Sequence, residues 1–196
     1  MKTIRLGSGL GFYGDSWEPV RAAIERGGVR YICSDHLAEL TLAILRKDQA
    51  RDPAAGFTRD LVPMLTALWP AASKNGVKFV LNAGGLNPNG AASALRAAFK
   101  TKGWSARIAV VTGDSVLERI DELRGAGQTL AHMDSGADIA QVRERLVFAN
   151  AYLGAAPIVQ ALAAGADIVL TGRVADAALF LAPLVHEFGW PLNPVD

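Results

Sequence analysis

Residues 165–176 constrain the fold more than any other stretch. Gly165-Ala166-Asp167 leads into the apolar run Ile168-Val169-Leu170, which stops at Thr171-Gly172-Arg173 before a helical pattern resumes at Val174. A short, wholly apolar run bounded by turn residues reads as a strand buried on both faces. The unit recurs at residues 3–6, 29–33, 77–81 and 107–111. Helical patterns lie between these runs, at 17–25, 37–46, 57–74, 91–100, 115–123 and 174–188, and a shorter one precedes residue 165. The alternation predicts an open, mostly parallel α/β sheet with helices on both faces, a Rossmann-like three-layer arrangement. Residues 48–56 read as a surface loop. Residues 124–138, rich in Gly, Asp and Ser, read as an irregular excursion.

In such a sheet, ligand groups sit in loops beyond the carboxyl ends of the strands. That rule selects the candidate residues. Gly9-Leu10-Gly11-Phe12-Tyr13-Gly14 follows the first strand and literally matches a dinucleotide fingerprint, with Asp35 about twenty residues on. Two features weigh against it: the loop already starts at Gly7, and Asp15 would face the phosphates. Asp35-His36-Leu37-Ala38-Glu39 follows the second strand. Asp35 is either a general base or metal ligand, or the cap of the next helix. Asn82, Gly84, Gly85 and Asn87 form a loop whose amides could hold a carboxylate or oxyanion. Asp114, after the fourth strand, is a candidate base or a helix cap. Asn150 and Tyr152 stand where the apolar pattern stops. Thr171, Gly172 and Arg173 close the last strand. A cation at a helix start lies at the positive dipole end, so Arg173 points either to a bound carboxylate or phosphate or to pairing with Asp176.

Several classes are excluded or disfavoured. A net charge of +1, with scattered Lys and Arg, gives no basic face for nucleic acid. The single cysteine, Cys33, rules out an internal disulfide and reads as a small buried hydrophobe. There is no signal peptide pattern and no apolar run of membrane-spanning length, so a cytoplasmic protein is expected. No nucleophile elbow or Walker lysine is present.

Taken together, Gly7-Ser8-Gly9 through Gly14-Asp15, Asp35-His36-Leu37-Ala38-Glu39-Leu40-Thr41, Asn82-Ala83-Gly84-Gly85-Leu86-Asn87-Pro88, Asn150-Ala151-Tyr152-Leu153-Gly154 and Thr171-Gly172-Arg173-Val174-Ala175-Asp176 resemble the N-terminal part of the acyclic terpene utilization AtuA family. The family's first loop often reads Gly-Asp-Arg; here Ser16 replaces the Arg, so that anion contact is absent or supplied elsewhere. The resemblance covers nearly the whole chain. It implies one N-terminal α/β domain over residues 1–196 that works with a C-terminal domain or partner subunit. It also implies a role in breakdown of acyclic terpenes or branched acids, where acyl-CoA esters are processed. The residues themselves fit hydration, dehydration or hydrolysis of a carboxylate or acyl-CoA thioester, with Asp35, Asp114 or Asp176 as base, Arg173 as anion clamp and Asn82 at the oxyanion. A divalent cation on Asp and Asn oxygens is a possible cofactor. An NAD(P)-dependent oxidoreductase and a non-catalytic subunit of a hetero-oligomer are the alternatives.

Overall fold

The computed structural model describes residues 2–192. Five strands form one parallel sheet in the order β1-β2-β3-β5-β4: β1 (Leu6–Ser8), β2 (Tyr31–Ser34), β3 (Lys78–Leu81), β4 (Ile108–Val111) and β5 (Ile168–Thr171). β2 and β5 are buried along their whole length, as their unbroken apolar runs require. The helices are α1 (Glu18–Arg26), α2 (Glu39–Arg51), α3 (Leu61–Asn75), α4 (Pro88–Thr101), α5 (Ile120–Gly125), α6 (Ala156–Ala163) and α7 (Asp176–Phe188).

From β1 to β4 the chain crosses the sheet in one sense, and α1, α3 and α4 cover one face around Ile32, Phe79, Leu81 and Leu170. From β4 to β5 it turns back, and α6 and α7 cover the other face around Cys33, Val80 and Val169. Uniform crossover handedness demands this change of face when the direction reverses. The loop after β3 therefore feeds a helix on one face, and the loop after β5 feeds a helix on the other. The gap between these two loops is the topological switch point, where a doubly wound sheet opens a crevice. At the opposite end, Glu187 ties the end of α7 to the start of β2 and to the N-terminal segment. It accepts hydrogen bonds from Tyr31 Oη and Arg30 Nε, each at 2.6 Å, and pairs with Lys2 Nζ at 3.0 Å.

The element boundaries depart from the sequence reading at several places, among them β2, which starts at Tyr31 rather than residue 29, and α4, which starts at Pro88 rather than residue 91. The first strand lies at Leu6–Ser8 rather than 3–6, because pairing with β2 continues into the glycine loop through Ser8 opposite Cys33. α2 starts at Glu39 and runs to Arg51, so part of the expected 48–56 loop is helix. α3 starts at Leu61 rather than near Thr58, and it ends as expected at Gly76, whose φ of 66° supplies the left-handed cap. The expected 115–123 helix is replaced by a 3₁₀ turn at Leu117–Arg119 and then α5, because Ser115 bridges to Asn150 instead. α7 begins at Asp176, two residues after the expected Val174.

Candidate functional site

Two polar networks line the carboxyl ends of the strands. The first joins β2 to β3. Asn82, wholly buried, accepts a hydrogen bond from the His36 backbone N–H through Oδ1 and donates from Nδ2 to Asp35 Oδ1, each at 2.6 Å. The backbone N–H contact fixes which end of the amide faces Asp35. Leu37 N also donates to Asp35 Oδ1, at 3.3 Å. Among the described residues Asp35 Oδ2 has no protein partner, so the carboxylate is held by one oxygen and open at the other. Asp35 does not cap α2: the residue before that helix is Ala38, in extended conformation. His36 is 1% exposed. Its Nε2 lies 2.9 Å from Ser34 Oγ, and its Nδ1 lies 3.9 Å from Asp60 Oδ1 without a hydrogen bond. Burial holds its imidazole below the usual range, although Asp60 and Asp35 pull the other way, so the ring is neutral at pH 7.

The glycine loop after β1 supports this network and leaves little for a phosphate. Gly9 N donates to Cys33 O, Leu10 N to Ser34 Oγ, Gly11 N to Asp15 Oδ2 and Gly14 N to Asp60 Oδ2. Dinucleotide sites need such N–H groups free. Gly9 lies against Ser34 so closely that a Cβ there would overlap its side chain, which explains a glycine without any ligand.

The second network joins β4 to β5. Asp114, 4% exposed, accepts hydrogen bonds at Oδ2 from Asn150 Nδ2 and from Arg173 N, each at 2.8 Å. Among the described residues its Oδ1 has no protein partner, and Asn150 Oδ1 is likewise buried without one. Arg173 folds back beneath Tyr152, its guanidinium carbon 4.0 Å from the ring centroid. Nη1 donates to Asp176 Oδ1 at 2.7 Å and to Val174 O at 2.9 Å, and Nη2 lies 3.8 Å from Glu39 Oε1. Burial opposes the guanidinium charge, but the Asp176 and Tyr152 contacts outweigh it and raise its pKa. The Arg-Asp pair foreseen from the spacing is therefore formed, and Nε is left buried without a partner. Tyr152 donates to Glu39, which draws the Glu39 carboxyl below its ordinary range.

Other selected residues shape the site. Asn87 caps α4 by accepting from Gly90 N at 2.9 Å and donates to Ala54 O and Ala55 O. Gly85 has φ of 55°, and a Cβ on Gly84 would come 2.6 Å from Thr171 O, so the β3 and β5 loops touch at the switch point. The Thr171 hydroxyl donates to Gly172 O. Beside these loops lies a cleft of about 340 Å³, walled by Arg46, Gln49, Leu86, Asn89, Asp114, Ser115, Phe148 and Asn150 among others. Sequence reasoning missed Arg46 and Gln49, which sit on α2 with no pattern marking them. Among the described residues, no three His, Cys, Asp or Glu side chains converge to hold a metal ion, and no helix is long and apolar enough to cross a membrane.

An open parallel sheet with polar loops meeting at its switch point defines a doubly wound α/β domain. The chain belongs to a particular group of such proteins: the family described as acyclic terpene utilisation family protein AtuA matches it over residues 4–196. Membership implies a role in acyclic terpene utilisation. No curated protein and no solved structure matches the chain.

Proposed function

We propose that this chain carries the active site of an enzyme that acts on a carboxylate or acyl-CoA thioester in the breakdown of acyclic terpenes or branched acids. The reaction is a proton-transfer chemistry: hydration, dehydration or hydrolysis. One observation carries the reading. Asp35 Oδ1 is locked by the Asn82 amide at 2.6 Å, and its Oδ2 is free of protein contacts among the described residues. A carboxylate oriented through one oxygen and open at the other is the arrangement a general base requires. In a hydration, Asp35 takes a proton from water as the water oxygen bonds to an electron-poor carbon, and the acyl oxygen carries the developing charge. Asn82 positions the base, and neutral His36 keeps a second positive charge away from it.

Arg173 is the cation that the loop after β5 supplies for the substrate's anionic group, once its guanidinium turns from Asp176. The chain acts with a C-terminal domain or partner subunit, in the cytoplasm. The test is turnover of a panel of branched enoyl-CoA, hydroxyacyl-CoA and acyl-CoA esters by the protein with its partner. Asp35→Asn should lower kcat by about 10²-fold or more, the range general bases supply. Asn82→Ala should lower it less and shift its pH profile. Turnover unchanged in Asp35→Asn removes the assignment.

A further inference from the structure

The cleft beside the β3 and β4 loops has a chemistry of its own. Its volume, about 340 Å³, falls at the lower end of the roughly 300–1,000 Å³ of small-molecule sites. One wall presents hydrogen-bond acceptors. Asp114, 96% buried by its 4% exposure, offers Oδ1 without a protein partner among the described residues, and Asn150 Oδ1 beside it is buried and unpartnered. Asn150 Oδ1 is closed off from solvent, whereas Asp114 Oδ1 opens to the cleft and can take a donor from a ligand there. The lining also carries one cation, Arg46, and a second carboxylate, Glu118. Arg46 is oriented by Gln49 Oε1 at 3.2 Å and, among the described residues, forms no ion pair. It stands near the start of α4, a 14-residue helix capped by the neutral Asn87 amide and with no acidic residue in its first turn, so no negative charge faces the positive dipole end there. Leu86 and Phe148, which pack on Leu37, Leu42 and Leu45, supply apolar surface in between.

We infer that this cleft binds a hydroxylated carboxylate with an apolar body. The carboxylate faces Arg46 near the α4 N-terminus, and the hydroxyl donates its one proton to Asp114 Oδ1. A plain fatty acid leaves Asp114 Oδ1 unpaired, and a plain alcohol leaves Arg46 unpaired. The site goes beyond the proton-transfer reading, and its test measures binding alone.

The test is calorimetric titration of the whole chain with hydroxyoctanoates differing in hydroxyl position, with octanoate and with an octanol. At least one hydroxyoctanoate should bind saturably, about tenfold tighter than octanoate, because one unmade hydrogen bond to a buried charged group costs about that factor. Arg46→Gln should weaken the acids about tenfold and leave the alcohol unchanged. Arg46 is only half-buried, and a thermal melt confirms that the variant is folded; if it is not, the comparison between ligands on the native chain still decides. Absence of saturable binding at millimolar concentration overturns the inference. So does equal affinity for octanoate and every hydroxyoctanoate, or acid binding indifferent to Arg46→Gln in the folded variant.

Discussion

Gly172 occupies its position for lack of space, and adding one methyl group should show it. A Cβ there would lie 2.6 Å from Asp114 Oδ1 and closer still to Oδ2. Both oxygens belong to a buried side chain whose only free space is the cleft on its far side, away from its partners. Gly172→Ala must therefore push the carboxylate off the Asn150 amide and the Arg173 N–H, each 2.8 Å away. Hydrogen bonds to a charged group contribute about 1.5–3 kcal/mol each. Partial relaxation leaves an expected loss of about 3 kcal/mol, or roughly 6–12 °C in Tm for a chain of this size. Asp114→Ala should cost a similar amount by removing the same bonds. The decisive measurement is the double-mutant cycle by urea denaturation. With Asp114 already truncated, the Gly172 methyl meets no carboxylate, so the double variant should be no less stable than Asp114→Ala alone, within about 0.5 kcal/mol. Additive losses near 6 kcal/mol, or a Gly172→Ala cost below about 0.5 kcal/mol, would refute the argument.

Other expectations rest on separate parts of the molecule. Burial lowers the His36 pKa, so in the window below about 6.5 the unfolded chain binds the extra proton. Stability should then fall with decreasing pH by up to about 1.4 kcal/mol per pH unit from this site, and His36→Gln should flatten that slope in pH-dependent urea melts. Burial works against the Glu187 charge, but hydrogen bonds from Tyr31, Arg30 and Lys2 outweigh it and hold its pKa down to about 2. Its contribution is full above the usual carboxylate range and is lost as pH falls toward 2. Because Arg30 and Lys2 are 54% and 55% exposed, screening limits the expected cost of Glu187→Gln at pH 7 to about 1–2 kcal/mol, measurable by denaturant unfolding. Cys33 is wholly buried, and burial pushes its thiol up to about 12. An aromatic disulfide reagent should leave it unmodified in the native chain and react at once in denaturant.

The sheet was legible because strand burial is written locally. Ile168-Val169-Leu170 and Tyr31-Ile32-Cys33 are apolar on both sides of the pleat, and the turn residues after them punctuate the chain. Cys33 proved to be the small buried hydrophobe that its apolar neighbours implied. Helix starts were less legible. Leu37 continues an apolar pattern, yet its N–H is captured by Asp35, which delays α2 by two residues. The 115–123 segment carries a fair helical pattern, but Ser115 is drawn into a bridge with Asn150, thirty-five residues away, and local propensity yields to tertiary pairing. Within the site, the spacing of Arg173 and Asp176 offered their pair as the alternative to an anion site, and the pair is formed. The Asn82 contacts with Asp35 and His36 did not show, because partners forty-six and forty-seven positions apart leave no periodic trace. Arg46 was hidden for the same reason: its role depends on which loop faces α2.

The sheet order has a consequence for assembly. β5 is an interior strand, paired to β3 and β4, yet among the described strands it comes after both in the chain. Until residue 171 emerges, β3 and β4 have no common neighbour, and each presents an unpaired parallel edge rich in apolar side chains. Closing the sheet then means inserting one strand between two others across loops of more than fifty residues, a slow step for which the chain pays in entropy before it gains contacts. Growing chains should therefore pass through an interval of exposed edges, prone to pairing with one another. The same insertion draws the β3 and β5 loops into contact at Gly84 and Thr171, so the crevice does not exist in part: it forms when the sheet closes, and a chain caught before that moment has neither half of it.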